Sequence, residues 1–181
     1  VRARNEKGGF GSGPSQIARA VIPYEPHSGG QQLIHDSKAR FKVITAGARY
    51  GKDRCSINEL IRKFTEMLSE DRPEELVPTV HGWLIAPTYP MLRQTWREFK
   101  HFFPKEWVEN IWETDKVIET INGGVIEAKS ADDPENLVTV GLDIALITEA
   151  GRIKQLQEVW ANVEARLNSP GRGPLGEGGL A

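Results

Sequence analysis

The order of elements readable in this chain predicts an α/β fold: a mostly parallel sheet with helices on both faces. Three observations carry that expectation. Short apolar, β-rich runs stand at residues 41–45 (FKVIT), 82–86 (GWLIA) and 143–147 (DIALI), and each leads into an amphipathic stretch with helical spacing. Polar or glycine-rich segments separate these units. In such sheets ligands sit at the carboxyl ends of the strands, so chemistry is expected just after Thr45, Ala86 and Ile147.

Taken in order, residues 41–45 read as a buried strand followed at once by the turn-like AGARYGKD. Ile57, Leu60, Ile61, Phe64 and Leu68 then recur at three- and four-residue spacing, which predicts a helix over about 51–69 that Asp71-Arg72-Pro73 ends. Residues 82–86 form the next strand, and Pro87-Thr88 opens a helix with Leu92, Trp96, Phe99 and Phe103 on its inner face, closed by Pro104. One-sided spacing assigns the stripe Trp96, Phe99 and Phe103 to helix-to-sheet core rather than to base stacking. Residues 116–121 and 125–128 flank Asn122-Gly123-Gly124, a connection suited to a hairpin. After the strand at 143–147, Ile153, Leu156, Trp160, Val163 and Leu167 mark a final helix.

Composition narrows the class of protein. With 181 residues and 39% hydrophobic content the chain suits one compact domain, placed here over 21–168. Cys55 is the single cysteine, so no internal disulfide or cysteine-based zinc site is expected, and a cytoplasmic setting follows. No apolar run approaches the roughly 20 residues that span a bilayer. The formal net charge of -2 gives no global basic signature, so a nucleic-acid surface would have to be a local patch. Glycine, proline and serine dominate a leader at 1–20 and a tail at 169–181, both read as mobile. Starting at Val1 and stopping in a glycine-rich stretch, the chain is expected to be part of something longer.

The segment Ala46-Gly47-Ala48-Arg49-Tyr50-Gly51-Lys52-Asp53-Arg54 lies between predicted strand and predicted helix, the context of a phosphate-binding loop. There, successive backbone N–H groups and the helix N-terminus face the phosphates, and the lysine, here Lys52, reaches the β- and γ-phosphates. The fold expected is therefore that of a P-loop NTPase of the RecA-like kind. Two positions depart from the pattern: Ala46 replaces the first glycine, and Asp53 stands where a serine or threonine normally meets magnesium. Downstream, Thr148-Glu149 ends an apolar strand, as does the acid pair of P-loop ATPases, and makes Glu149 the candidate base or water-orienting group. Since a carboxylate follows the lysine and a hydroxyl ends the strand, the two metal-facing groups look exchanged. Asp53 and Thr148 are accordingly the candidate Mg²⁺ residues, the alternative being first-turn acid and helix cap.

Beyond these motifs, Gln31 with Ile34-His35-Asp36-Ser37, the loop AGARYGKD, LIAPTY (84–89), SADDPENL (130–137) and LDIALITEA (142–150) occur in the order and spacing of the ATPase domain of phage terminase large subunits, which the chain resembles from about Tyr24 to Leu167. The resemblance implies an ATPase that uses ATP and Mg²⁺, forms a ring on the portal protein with a small terminase subunit, and drives double-stranded DNA into a procapsid in the host cytoplasm. It further implies that Gln31 reads adenine, with Gln32 as the neighbouring alternative, that Arg49 is the loop arginine and that Glu149 is the catalytic carboxylate. The isolated domain is expected to be a monomer without membrane association, and the family's nuclease domain has no room here. Val138 stands where the family usually has an arginine after the leucine of the Ser-Ala-Asp-x-Pro segment; if that arginine serves as a finger into a neighbouring subunit, this chain must use another one. Two other functions share the motifs: a helicase-like P-loop ATPase, and a degenerate nucleotide-binding or structural assembly subunit.

Overall fold

The computed structural model describes residues 24–27, 29–68 and 79–169. The 1–20 leader, Asp71-Arg72-Pro73 and all of the 169–181 tail except Ser169 lie outside them. Four helices, α1 (Gly29–Asp36), α2 (Lys52–Leu68), α3 (Tyr89–Phe102) and α4 (Leu156–Leu167), accompany five strands, β1 (His81–Ala86), β2 (Val108–Trp112), β3 (Val117–Thr120), β4 (Val125–Ser130) and β5 (Ile144–Ile147). The sheet order is β2-β3-β4-β1-β5. Its centre is parallel, with β1 flanked by β4 and β5, and the antiparallel β2–β3–β4 meander extends one side.

Alternation along β1 explains why both faces are covered. Leu84 and Ala86 face Ile57, Leu60, Ile61 and Phe64 of α2 and Leu92, Trp96 and Phe99 of α3. Trp83 and Ile85 point the other way, onto Val159, Val163 and Leu167 of α4. Each buried Phe or Leu contributes about 1.5–3 kcal/mol through loss of water contact, so these two layers dominate the stability. Trp96, Phe99 and Phe103 are all buried, as their spacing requires.

Both glycines of the expected hairpin are needed where they stand. Gly123 has φ +76°, and a Cβ on Gly124 would lie 2.6 Å from Leu68 Cδ2 and 2.9 Å from Phe64 Cζ. The hairpin therefore presses its backbone onto the end of α2, an approach that a side chain would block.

One expected strand is absent. Residues 42–47 run without sheet pairing, and Val43 is 91% exposed. The physical reason is the lack of a hydrogen-bonded neighbour. A cavity of about 330 Å³ lies between Ile44 of this segment and Ile144, Ala145 and Leu146 of β5, so the β-rich composition of 41–45 has no ladder to join. Phe41 instead meets Trp160 of α4 edge-on, with ring centroids 5.3 Å apart, and Arg40 bonds the α4 C-terminus through Leu167 O and Asn168 Oδ1. Two elements were not expected from sequence, α1 and the edge strand β2. The last helix starts at Leu156, with Ile153 buried just before it at the end of a short 3₁₀ turn.

Candidate functional site

The loop at 46–51 enters α2 through two left-handed residues. Arg49 has φ +63° and Gly51 φ +81°, and Tyr50 N–H donates to Gly47 O at 3.4 Å to close the turn. A left-handed arginine costs about 1–2 kcal/mol relative to a glycine, strain of the kind held at binding loops. Ala46, Gly47, Ala48 and Arg49 are exposed. Lys52 is the first residue of α2, so the unpaired N–H groups and positive dipole end of a 17-residue helix lie beside its ammonium. Ser56 Oγ caps the turn from within, donating to Lys52 O at 2.7 Å.

Strand β5 brings the acid to the same place. Parallel pairing with β1 continues one residue past the strand, where Thr148 donates both its N–H (2.8 Å) and its hydroxyl (3.2 Å) to Ile85 O. Glu149 then turns left-handed, with φ +48°. Its Oε1 lies 2.7 Å from Lys52 Nζ, and its Oε2 lies 3.5 Å from Arg152 Nε. Lys52 is also 3.7 Å from Asp53 Oδ1. The hydrogen bond with Glu149 raises the Lys52 pKa, and the same bond holds the Glu149 carboxyl below its usual range, so both groups are charged. Lys52 and Glu149, distant in sequence, thus form one ion pair at the carboxyl end of the parallel sheet.

Asp53 and Thr148, the two residues expected to face a metal, each carry an oxygen of the kind a hard cation takes. Asp53 has a half-exposed carboxylate, and Thr148 has its proton engaged by Ile85 while its oxygen lone pairs remain. Among the described residues no cluster of three or more His, Cys, Asp or Glu is placed to hold a metal.

Gln31, on α1, is 1% exposed. Its Oε1 accepts from His27 N–H (3.0 Å) and Tyr24 Oη (3.3 Å), while its Nε2 donates to Tyr50 O (3.0 Å) and lies 2.9 Å from His27 Nε2. Gln32, the alternative reader, is exposed and bonds Asp36 within its own helix at 2.8 Å. Behind Gln31 lies a polar cluster that sequence reading missed. Tyr24 Oη is 3.1 Å from His35 Nε2, His35 Nδ1 is 2.7 Å from Glu59 Oε2, and Lys42 Nζ donates to Glu59 Oε1 at 2.6 Å. Burial alone would raise the Glu59 pKa, but bonds from Lys42, His35 and Arg62 outweigh it and hold the carboxyl below its ordinary value. Burial also pushes the Tyr24 hydroxyl and the Cys55 thiol up, which keeps Cys55 a protonated packing residue.

Other expected site residues fall elsewhere. Arg54 lays its guanidinium over the Phe102 ring, 4.9 Å from the centroid, in a groove with Gln94, Arg97 and His101. The Ser-Ala-Asp-Asp segment anchors neighbouring elements: Asp132 Oδ2 accepts Tyr89 N–H at the start of α3 (3.1 Å) and the Ser130 hydroxyl (2.8 Å), while Asp133 caps the turn Pro134–Leu137 by accepting Glu135 N–H. Val138 is exposed.

No family model and no curated protein matches this chain. Solved structures do. The large terminase ATPase domain of Thermus phage P74-26 matches in its cubic crystal form with a TM-score of 0.65 and 23% identity, over 81% of this chain and 62% of that one. An arginine-to-alanine mutant of the same domain matches equally. The chain therefore shares the fold of these phage large terminase ATPase domains, and it spans 62% of the length of the solved domain. The α/β architecture expected from sequence is thus the observed one, with a mixed sheet whose parallel part is its centre and without the strand expected at 41–45.

Proposed function

We propose that this chain is the ATP-hydrolysing motor domain of a DNA-packaging terminase, and that hydrolysis takes place between Lys52 and Glu149. The observation that carries the reading is their 2.7 Å ion pair, which joins the first residue of α2 to the segment just after β5, at the carboxyl edge of the sheet's parallel centre. A triphosphate arriving at the N-terminus of α2 offers Lys52 a more highly charged partner than one carboxylate. Glu149 is then released beside the γ-phosphate, where it orients the attacking water. Lys52 and the α2 N–H groups face the charge that grows on the phosphoryl oxygens, so positioning and electrostatics do the catalysis. Asp53 and Thr148 would hold Mg²⁺, which would supply charge neutralisation when bound.

The motor role belongs to the same proposal and rests on the fold shared with terminase ATPase domains. Under it the partners are double-stranded DNA, the portal protein and the small terminase subunit. The working form is a homo-oligomeric ring at the procapsid portal in the host cytoplasm, with an arginine supplied across the interface. Arg49, exposed and strained at the loop tip, suits that reach or the site's own phosphates. Steady-state phosphate release by the wild type and by Glu149→Ala tests the reading. Turnover lost in the variant supports it; nucleotide binding without turnover in the wild type favours the degenerate binding subunit.

A further inference from the structure

We propose that Gln31 is a positioning residue that clamps the loop at Tyr50, and not the group that reads the nucleotide base; the inference rests on the nucleotide-binding reading above. A glutamine amide offers two N–H donors and one oxygen with two lone pairs. In Gln31 the oxygen faces the His27 N–H and the Tyr24 hydroxyl, and the nitrogen faces the Tyr50 carbonyl and the His27 ring. Backbone groups fix this orientation. Turning the amide over would set its oxygen against the Tyr50 carbonyl and its NH₂ against the His27 N–H, two repulsive contacts in place of two bonds.

Reading adenine takes a free acceptor and a free donor side by side, matched to the base's own donor and acceptor. Gln31 has both ends engaged and is buried, so it can reach a base only by abandoning the loop and the His27 backbone. The clamp also sits directly on the turn. A Cβ on Gly51 would meet Gln31 Nε2 at 3.1 Å and His27 Nε2 at 3.2 Å, and Gly51 immediately precedes Lys52. Holding the Tyr50 carbonyl therefore fixes the left-handed Gly51 and the direction in which α2 and its lysine leave the loop.

The two roles separate on a ligand without a base. Isothermal titration of the full chain with Mg-ATP, Mg-GTP and Mg-tripolyphosphate compares the wild type with Gln31→Ala and Gln31→Glu. Gln31→Glu keeps the bond from His27 N–H and replaces only the NH₂ that holds Tyr50, so it decides the matter alone if Gln31→Ala does not fold. The clamp predicts that each variant loses affinity for all three ligands by about tenfold, the effect of one buried hydrogen bond turned unfavourable, with the ATP-to-GTP ratio unchanged. Tripolyphosphate affinity unchanged while ATP falls to the level of GTP would overturn the clamp in favour of base reading. Unchanged affinity for all three would overturn it in favour of a purely structural glutamine. A wild-type chain that binds none of the three removes the nucleotide reading itself and the clamp with it.

Discussion

Lys52 Nζ and Glu149 Oε1 lie 2.7 Å apart, so the cation suited to phosphate is held by the carboxylate suited to water. On the proposed function, nucleotide must displace Glu149 to enter. Replacing Glu149 by glutamine would then remove the competing charge and the proposed water-orienting carboxylate together. Glu149→Gln is therefore expected to bind Mg-ATP several-fold more tightly, while turnover falls by about a hundredfold or more. Titration with a fluorescent ATP analogue and a phosphate-release assay read the two effects separately. Weaker binding would mean that Glu149 does not compete for Lys52.

The carboxylate and hydroxyl beside the loop give a second expectation. Asp53→Ala should lower Mg²⁺-dependent hydrolysis strongly, and adding Asp53→Thr to Thr148→Asp should restore much of it. The structure adds a cost, because Thr148 is buried and donates its hydroxyl to Ile85 O, whereas an ionised aspartate there has no proton to give. The double variant should then melt several degrees lower without Mg-nucleotide, from a loss of about 1–3 kcal/mol, and regain stability with it. Normal hydrolysis by Asp53→Ala would show that the two residues do not share a metal.

Much of this was legible in the sequence because it is local. Residues 82–86 are apolar and buried, residues 144–147 are apolar and buried or half-buried, and the inner faces of α2, α3 and α4 repeat at helical spacing. Residues 41–45 carry the same β-rich signal, but a strand also needs a neighbour, which composition does not reveal. Helix α1 begins at two glycines and exposes Leu33, so it lacks a clear apolar stripe. Strand β2 exposes Ile111 and Trp112 at the sheet edge, and its alternation is correspondingly weak. The cluster of Tyr24, His35, Lys42 and Glu59 was illegible for a different reason: its members come from four separate stretches and meet only when α1 packs on α2.

Glu127 sets a pH dependence. Burial would raise its pKa, but hydrogen bonds from His81 (3.1 Å) and Lys129 lower it to about 2. Its folded-state pKa is thus below the unfolded value of 4.5, so its stabilisation is present above pH 4.5 and is lost as pH falls towards 2. Thermal melts of the wild type and Glu127→Gln should differ by about 2 kcal/mol near pH 7 and converge only as the pH falls to about 2. A gap that persists at pH 2 would assign the effect to packing instead.

The hairpin glycines should differ in the reason for their cost. Gly124→Ala forces a Cβ against Leu68 and Phe64 and is expected to lose about 1–3 kcal/mol through overpacking. Gly123→Ala meets only Thr79, at 3.4 Å, and should lose about 1 kcal/mol from its left-handed backbone. Shortening Leu68 to alanine should relieve the first variant and leave the second unchanged, as denaturant titration of the double variants can show. Equal behaviour of the two would contradict the close approach.

Steady-state phosphate release from Mg-ATP by the wild-type chain beside Lys52→Ala, with both proteins shown to be folded by circular dichroism, tests the proposed site most directly. Loss of the ammonium would remove the preorganised partner of the γ-phosphate, so measurable turnover is expected in the wild type and a reduction of about a hundredfold or more in the variant. Equal turnover in the two proteins, with both folded, would contradict it and place the hydrolytic site away from Lys52 and Glu149.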